Sequence, residues 1–339
     1  MQTEELDYQL PEAAIAQQVA EPRDSSRLLV DRGSGVAPEH RLTRDLPELL
    51  GPGDVLVVND SRVMACRLRL RKATGGRVEV LLLEPGPDGW WSALVRPGRR
   101  VPPGTELWHG GQPVMEVGKR LGNDGHRRVK PTGDPNALMR SAGEVPLPPY
   151  ITGRAFDPER YQTVYARRPV SAAAPTAGLH LTGAVLDRCR AAGAVVCSLE
   201  LAVGAATFTP VKTDQLDDHP MHAESYRIPA ATMAACASAK RVVAVGTTVV
   251  RALESAAATG APCGTTRLFI RPGHRFEAVD ALLTNFHLPR SSLLALLAAF
   301  IGPRWKDLYS IALTEGYRFL SLGDAMFCSR DRDRHQGSR

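Results

Sequence analysis

Pro146, Pro148 and Pro149 fall within four residues, and the chain reads differently on either side of them. Proline fixes φ and has no amide hydrogen. Val145-Pro146-Leu147-Pro148-Pro149-Tyr150 therefore suits a stiff connector and not the interior of a helix or strand. Before it, from about residue 61, the apolar runs are short and broken by Gly and Pro: Arg77–Leu83, Trp91–Val95 and Val114–Val117. Such runs between turn residues predict strands, and no helix-length amphipathic pattern intervenes. A small antiparallel barrel or sandwich is expected. After the connector, helix and strand patterns alternate. Thr182–Ala192 predicts a helix stopped by Gly193, Val195–Leu201 a strand, Ala230–Lys240 a helix and Val242–Val245 a strand. Val249–Ala258 begins the next helix beyond the turn Gly246-Thr247-Thr248. Residues 1–60 hold an N-terminal segment and the strand Val55–Val58. The segment Ser329–Arg339 is charged, has no core-forming residues, and is expected to be an unstructured tail.

A chain of 339 residues with 43% hydrophobic and 23% charged side chains has room for two domains and a core. Its net charge of +6 is unevenly spread: residues 60–140 carry 15 Lys and Arg against 8 Asp and Glu, and the rest carries 27 against 28. The basic excess lies in one block that includes Arg67, Arg69, Arg71 and Lys72, then Arg96, Arg99 and Arg100, then Arg127, Arg128 and Lys130. Such a block suits phosphates, and a solvated strand face is the alternative. Arg99, Arg100, Arg127 and Arg128 are the candidate nucleic-acid contacts.

The six cysteines, at 66, 189, 197, 236, 263 and 328, form no C-x-x-C pair and no zinc or disulfide spacing. A reducing, cytoplasmic setting is expected, since Met1-Gln2-Thr3-Glu4-Glu5 also lacks a leader's apolar stretch. The longest apolar run, Leu293–Ile301, is too short for a membrane. It follows Ser291-Ser292 and stops at Gly302-Pro303, as a buried helix would. No membrane association is expected, and a monomer is favoured.

Four segments carry residue types suited to chemistry. Gly246-Thr247-Thr248 follows a buried strand and opens a helix bearing Arg251. The amides and hydroxyls of such a terminus suit a carboxylate or phosphate, although a structural N-cap is the alternative. Ala172 to Leu179 is poor in bulk, which suits close approach by a flat ligand, and His180 stands at its end. His219-Pro220-Met221-His222-Ala223-Glu224 groups two imidazoles with a carboxylate. Acid–base work, substrate contact and a purely structural role all fit. Metal binding fits less well, because Pro220 breaks a helical H-x-x-H face and no further ligand cluster stands out. Leu282 to Pro289 is an apolar strand ending in Thr284, Asn285, Phe286 and His287, as at the rim of an α/β cleft.

Together these segments resemble one family. The resemblance is carried by Glu21-Pro22-Arg23-Asp24-Ser25-Ser26-Arg27-Leu28-Leu29, Asn59-Asp60-Ser61-Arg62-Val63, Pro146 to Ile151 and Tyr161-Gln162-Thr163-Val164-Tyr165. It continues through Ala173 to His180, Met221-His222, Ala244 to Thr248, Val279 to Pro289 and Gly323-Asp324-Ala325-Met326. In order and nearly end to end, they look like the S-adenosylmethionine:tRNA ribosyltransferase-isomerases of queuosine biosynthesis. The resemblance implies a mixed fold: a core of β-barrel and α/β elements at 1–61 and 146–328, with a small antiparallel β-barrel inserted at 62–145. It implies that the ribosyl part of S-adenosylmethionine is transferred to a 7-aminomethyl-7-deazaguanine at the tRNA wobble position and isomerised. The products would be epoxyqueuosine, adenine and methionine. The partner would be tRNA with a G-U-N anticodon, and no metal is called for.

That chemistry assigns expected roles. Gly246, Thr247, Thr248 and Arg251 would contact the donor's carboxylate or ribose, with Ala174, Pro175, Thr176 and Gly178 along the nucleoside. Thr207, Thr284, Asn285 and Phe286 complete the substrate contacts. His180, His222, Glu224 and His287 are the catalytic acid–base candidates. The sequence departs from the family pattern at Ala202 (usually His), at Leu181 (Phe), at Arg271 and Leu322 (both Tyr) and at Glu144-Val145 (His-Met). These departures motivate two alternatives: a relative that ribosylates another acceptor, and a non-catalytic RNA-binding protein on the same scaffold.

Overall fold

The computed structural model describes residues 1–121, 125–152, 157–204 and 210–330. It divides into two compact units, Met1–Arg62 with Pro148–Arg168 and Ala174–Arg339, and Val63–Leu147 with Pro169–Ala173.

The first unit is built on nine strands. Their order is Cys263–Thr266, Glu224–Arg227, Val195–Leu201, Asp54–Asn59, Arg241–Val245, Ala281–Asn285, Ala325–Ser329, Arg27–Asp31 and Glu39–Leu42. The middle four, Val195–Leu201 to Ala281–Asn285, run parallel. Every residue of Asp54–Asn59 is buried, as a parallel strand covered on both faces requires, and this explains its unbroken apolar run. Leu56, Val58, Val243, Val245 and Leu283 pack in one core with Leu181, Val185, Leu186 and Cys189 of the helical layer. The helix Gly183–Ala191 is capped by Thr182, whose hydroxyl accepts the Val185 amide at 3.2 Å. Ser291 caps Ser292–Ile301 in the same way. The helix Thr247–Thr259 starts at Gly246, where φ is 91° and ψ 154°, a conformation that only glycine adopts without strain. Ser329 closes its strand, and Arg330 Nη1 donates to the Phe276 carbonyl at 2.6 Å. The expected tail thus begins too early; its remainder, 331–339, lies outside the described residues.

The second unit closes a six-stranded antiparallel barrel. Arg67–Lys72, Arg77–Pro85, Trp91–Arg96, His126–Pro131, Gln112–Arg120 and Thr105–His109 follow one another, and Thr105–His109 pairs back to the first strand through Arg71 opposite Trp108. Alternation explains the closure. Leu68 and Leu70 are buried while Arg69 and Arg71 are exposed, so every second residue fills the interior. One helix here was not expected from the periodicity. Pro135–Ala142 forms because both Asp134 carboxylate oxygens accept N-terminal amides, from Asn136 and Ala137, with Pro135 in the first turn. A mixed α+β fold with a closed antiparallel barrel is the class expected.

Candidate active site

The carboxyl ends of the parallel strands are tied together by Asn59. Its Oδ1 accepts the amides of Leu201 and Ser61, each at 3.1 Å, and its Nδ2 donates to the Leu201 carbonyl at 3.0 Å. Ligands of open α/β sheets bind at such strand ends, and here the next strands finish at Val245 and Asn285.

Beside them lies a pocket lined by Gly204, His219, Met221, His222, Glu224, Arg251, Leu268, Phe269, Ile270, Ser292, Leu293 and Leu296. Glu224 and Arg251 form a buried ion pair within it, 5% and 7% exposed. The second Glu224 oxygen accepts the Gly204 amide at 2.8 Å, and Arg251 Nε donates to the Leu268 carbonyl at 3.1 Å. Arg251 Nη2 is buried and, among the described residues, has no acceptor. A guanidinium clamped on two sides with one donor left over is set up to receive a carboxylate. Glu224, expected as an acid or base, is instead engaged in holding that guanidinium. His222 is exposed on the same pocket. His219 is half-buried, and burial first, then the His222 charge, push its pKa down. His219 meets the edge of Phe269 at 5.6 Å. His219, Met221, His222 and Phe269 continue into an outer cleft bounded by Asp217, Arg267 and Arg271, where Arg271 pairs with Asp217 at 2.6 Å.

A second pocket shares Leu293 and is lined by Tyr150, Thr176, Asn285, Phe286, His287 and Ser321, among others. Thr176 Oγ1 donates to Asn285 Oδ1 at 2.9 Å, and Asn285 Nδ2 donates to His180 Nε2 at 2.9 Å. Thr284 Oγ1 lies 3.0 Å from His287 Nε2. Burial pushes the His180 pKa down to about 4, against the opposing pull of Asp324, and that of His287 down to about 3. Both rings are neutral near pH 7 and weakly basic, so they fit the orienting of Asn285 and Thr284 better than proton transfer.

Other expectations change for packing reasons. Ala174, Pro175, Ala177 and Gly178 are buried, and of this loop Thr176 alone reaches the described pocket. A Cβ on Gly178 would stand 2.0 Å from the Tyr165 hydroxyl, so the missing side chain makes room for Tyr165 and not for a ligand. Thr247 and Thr248 are buried at the helix start, where Asn59 Nδ2 donates to Thr248 Oγ1 at 3.4 Å; neither lines a described pocket. Phe286 stacks on Phe319 at 4.6 Å in an aromatic core. Thr207 lies outside the described residues. In the barrel unit Arg127 is 2% exposed and donates to the Gly98 carbonyl, so it does not present its charge to solvent as a phosphate contact would; Arg99 and Arg100 do. Arg128 lies over the Trp90 ring at 5.1 Å.

The departures from the family pattern also separate. Leu181 and Leu322 are 0% and 2% exposed and belong to the packed interior, and Glu144 pairs with Arg69 at 2.9 Å on the barrel surface. Of these positions, Arg271 alone borders the described clefts. Reading the sequence missed Tyr150, whose hydroxyl lies 2.6 Å from Ser321 Oγ at the second pocket, and the wall Leu268-Phe269-Ile270. The apolar run before Pro272-Gly273 was the available signal for that wall. A larger groove between Pro272–Phe276 and Ala298–Lys306 contains none of the expected site residues. Among the described residues no cluster of three or more His, Cys, Asp or Glu is placed to hold a metal, and no helix is long and apolar enough to cross a membrane.

A profile for queuosine biosynthesis proteins matches residues 3–328. The S-adenosylmethionine:tRNA ribosyltransferase-isomerase of Moorella thermoacetica is 51% identical over 339 residues, spanning 96% of this chain and 99% of that protein. The enzyme of the same name from Thermus thermophilus is 52% identical over 340 residues, spanning 95% and 98%. A crystal structure of S-adenosylmethionine tRNA ribosyltransferase from Thermotoga maritima is 36% identical, superposes with a TM-score of 0.56, and covers 96% of this chain and 99% of that one. With matches of this extent, the chain belongs to the S-adenosylmethionine:tRNA ribosyltransferase-isomerase family of queuosine biosynthesis proteins.

Proposed function

We propose that this protein transfers the ribosyl moiety of S-adenosylmethionine to a 7-aminomethyl-7-deazaguanine at the wobble position of tRNA with a G-U-N anticodon. It isomerises the product to epoxyqueuosine and releases adenine and methionine. The observation that carries the reading is the Glu224–Arg251 clamp, with Arg251 Nη2 left without an acceptor among the described residues, in a pocket edged by an exposed imidazole. In this reading Arg251 receives the methionine carboxylate, a charge-assisted contact that fixes the sulfonium end of the donor. The sulfonium acidifies the adjoining C5′–H, and His222 is the accessible group that takes this proton. Thr176 and Asn285, ordered by the neutral His180, supply polar contacts to the nucleoside at the second pocket. Adenine leaves more readily when hydrogen-bonded or protonated, and those contacts supply hydrogen bonds. No metal enters the scheme. Burial of Leu181 and Leu322 removes two of the reasons to expect a different acceptor, because side chains inside the core do not touch a base.

Labelled S-adenosylmethionine incubated with and without tRNA carrying the deazaguanine precursor tests the reading. Adenine and methionine should be released with that tRNA only, and His222→Ala should lower kcat by roughly 10²- to 10⁴-fold with donor affinity kept. Equal release without tRNA, or none with it, would refute the proposal.

A further inference from the structure

The barrel unit has a cationic row that, among its described residues, no carboxylate neutralises by an ion pair. Three strands bring it together: Trp108 stands directly opposite Arg71, and Arg71 directly opposite Arg77. Directly opposed residues share a face, and two like charges so placed repel each other. Arg71 and Arg77 are exposed, and among the described residues neither is paired with a carboxylate. Arg71 Nη1 reaches only the Gly75 carbonyl, at 3.1 Å. The neighbouring Arg69 shows the contrast. It faces Glu79 across the strands and pairs with Glu144 at 2.9 Å, so its charge is already balanced.

The row ends in a concavity between two hairpin tips, Ala73–Gly75 and His109–Gly111, with Lys72 and Trp108 in its wall. The Trp108 indole N–H is buried and has no acceptor among the described residues. Lys72 Nζ donates to the Arg100 carbonyl at 3.0 Å, which ties the exposed Arg99-Arg100 turn to the same surface. A half-buried aromatic ring beside uncompensated guanidinium groups matches the needs of a nucleic-acid strand: a π face for a base and cations for the flanking phosphates.

We infer that the Trp108–Arg71–Arg77 face of the barrel unit is a docking surface for the tRNA, with a base against Trp108 and backbone phosphates on the two arginines. The inference rests on the reading of tRNA as the acceptor and adds where the chain grips it. The grip is electrostatic and blind to sequence, as phosphate contacts are.

Filter binding of the unmodified acceptor tRNA at several salt concentrations tests it, with S-adenosylmethionine binding as a control. Arg71→Gln/Arg77→Gln changes exposed side chains; it should weaken tRNA binding and lower the log–log salt slope by about one and a half units, at 0.7–0.9 per phosphate contact. Trp108→Ala should weaken it roughly 5- to 150-fold, and Trp108→Phe, which keeps a ring, far less. Donor affinity should not move in any variant. Wild-type tRNA affinity and salt slope in the double arginine variant would overturn the docking surface while leaving the tRNA reading standing. A wild-type protein that binds S-adenosylmethionine but no tRNA would overturn the tRNA reading and, with it, this surface.

Discussion

The buried pair Glu224–Arg251 invites a double-mutant cycle, because it has two separable jobs. Both side chains lie below one tenth exposed, and the two charges are paired directly. Arg251→Met leaves a carboxylate in the interior without its guanidinium, although the Gly204 amide still donates to it. Breaking a buried pair from one side costs about 3–5 kcal/mol, which is the expected loss of stability for this single variant. Glu224→Gln/Arg251→Met removes both charges, and the glutamine oxygen can still accept the Gly204 amide. Replacing a buried pair with neutral groups is often close to neutral, so most of the stability should return. Donor binding should not return. The proposed charge-assisted bond from Arg251 Nη2 to the methionine carboxylate would be worth about 1.5–3 kcal/mol, or roughly 10- to 150-fold in Kd, and the double variant lacks it. Urea unfolding measures the first quantity and calorimetric titration with S-adenosylmethionine the second. If the double variant binds the donor as tightly as the wild type, Arg251 is only structural. If Arg251→Met is as stable as the double variant, the pair does not carry the stability assigned to it.

Two further outcomes follow from burial. His180 and His287 fold with pKa values of about 4 and 3, below the unfolded value near 6.5, so the unfolded chain takes up protons first as pH falls. Their neutral burial is therefore compatible with full stability above pH 6.5, and stability is lost as pH drops from there towards 4 and 3, by about 3 kcal/mol or more for each ring. Urea midpoints between pH 7.5 and 4.5 check this, and His180→Gln should flatten the curve; an unchanged curve would count against the neutral-ring assignment. Gly178→Ala should destabilise by about 1–3 kcal/mol through overpacking against Tyr165, while donor affinity per folded molecule stays level. A variant as stable as wild type but weaker for S-adenosylmethionine would return Gly178 to the ligand.

Much of the chain was legible because alternation and capping are local. Thr182 before Gly183–Ala191, Ser291 before Ser292–Ile301, and Val195–Leu201 as a strand are read from residues that touch each other along the chain. The strand Arg67–Lys72 was half legible: its Arg-Leu alternation is a barrel pattern, and its charge suited either phosphates or the solvated strand face that the fold forms. The same local reading missed Pro135–Ala142, where the Asp134-Pro135 start was visible although the helix is only eight residues long.

What the sequence by itself determined was the mixed α+β class, the basic block at 60–140 and the ordered motifs that place the chain in its family. Each is a property of composition or of neighbours along the chain. Only the tertiary structure decided which candidate side chains share a site. Glu224 meets Arg251 because a strand and a helix 27 positions apart in the chain converge on one pocket, turning a presumed acid into a clamp. Gly178 and Arg127 suited a ligand or a phosphate by residue type, Leu181 and Leu322 stood out as departures from the family pattern, and three-dimensional packing buried all four. Burial and pairing depend on what the rest of the chain brings to a residue. A side chain's identity sets what it is able to bond, and the fold sets which partner reaches it first.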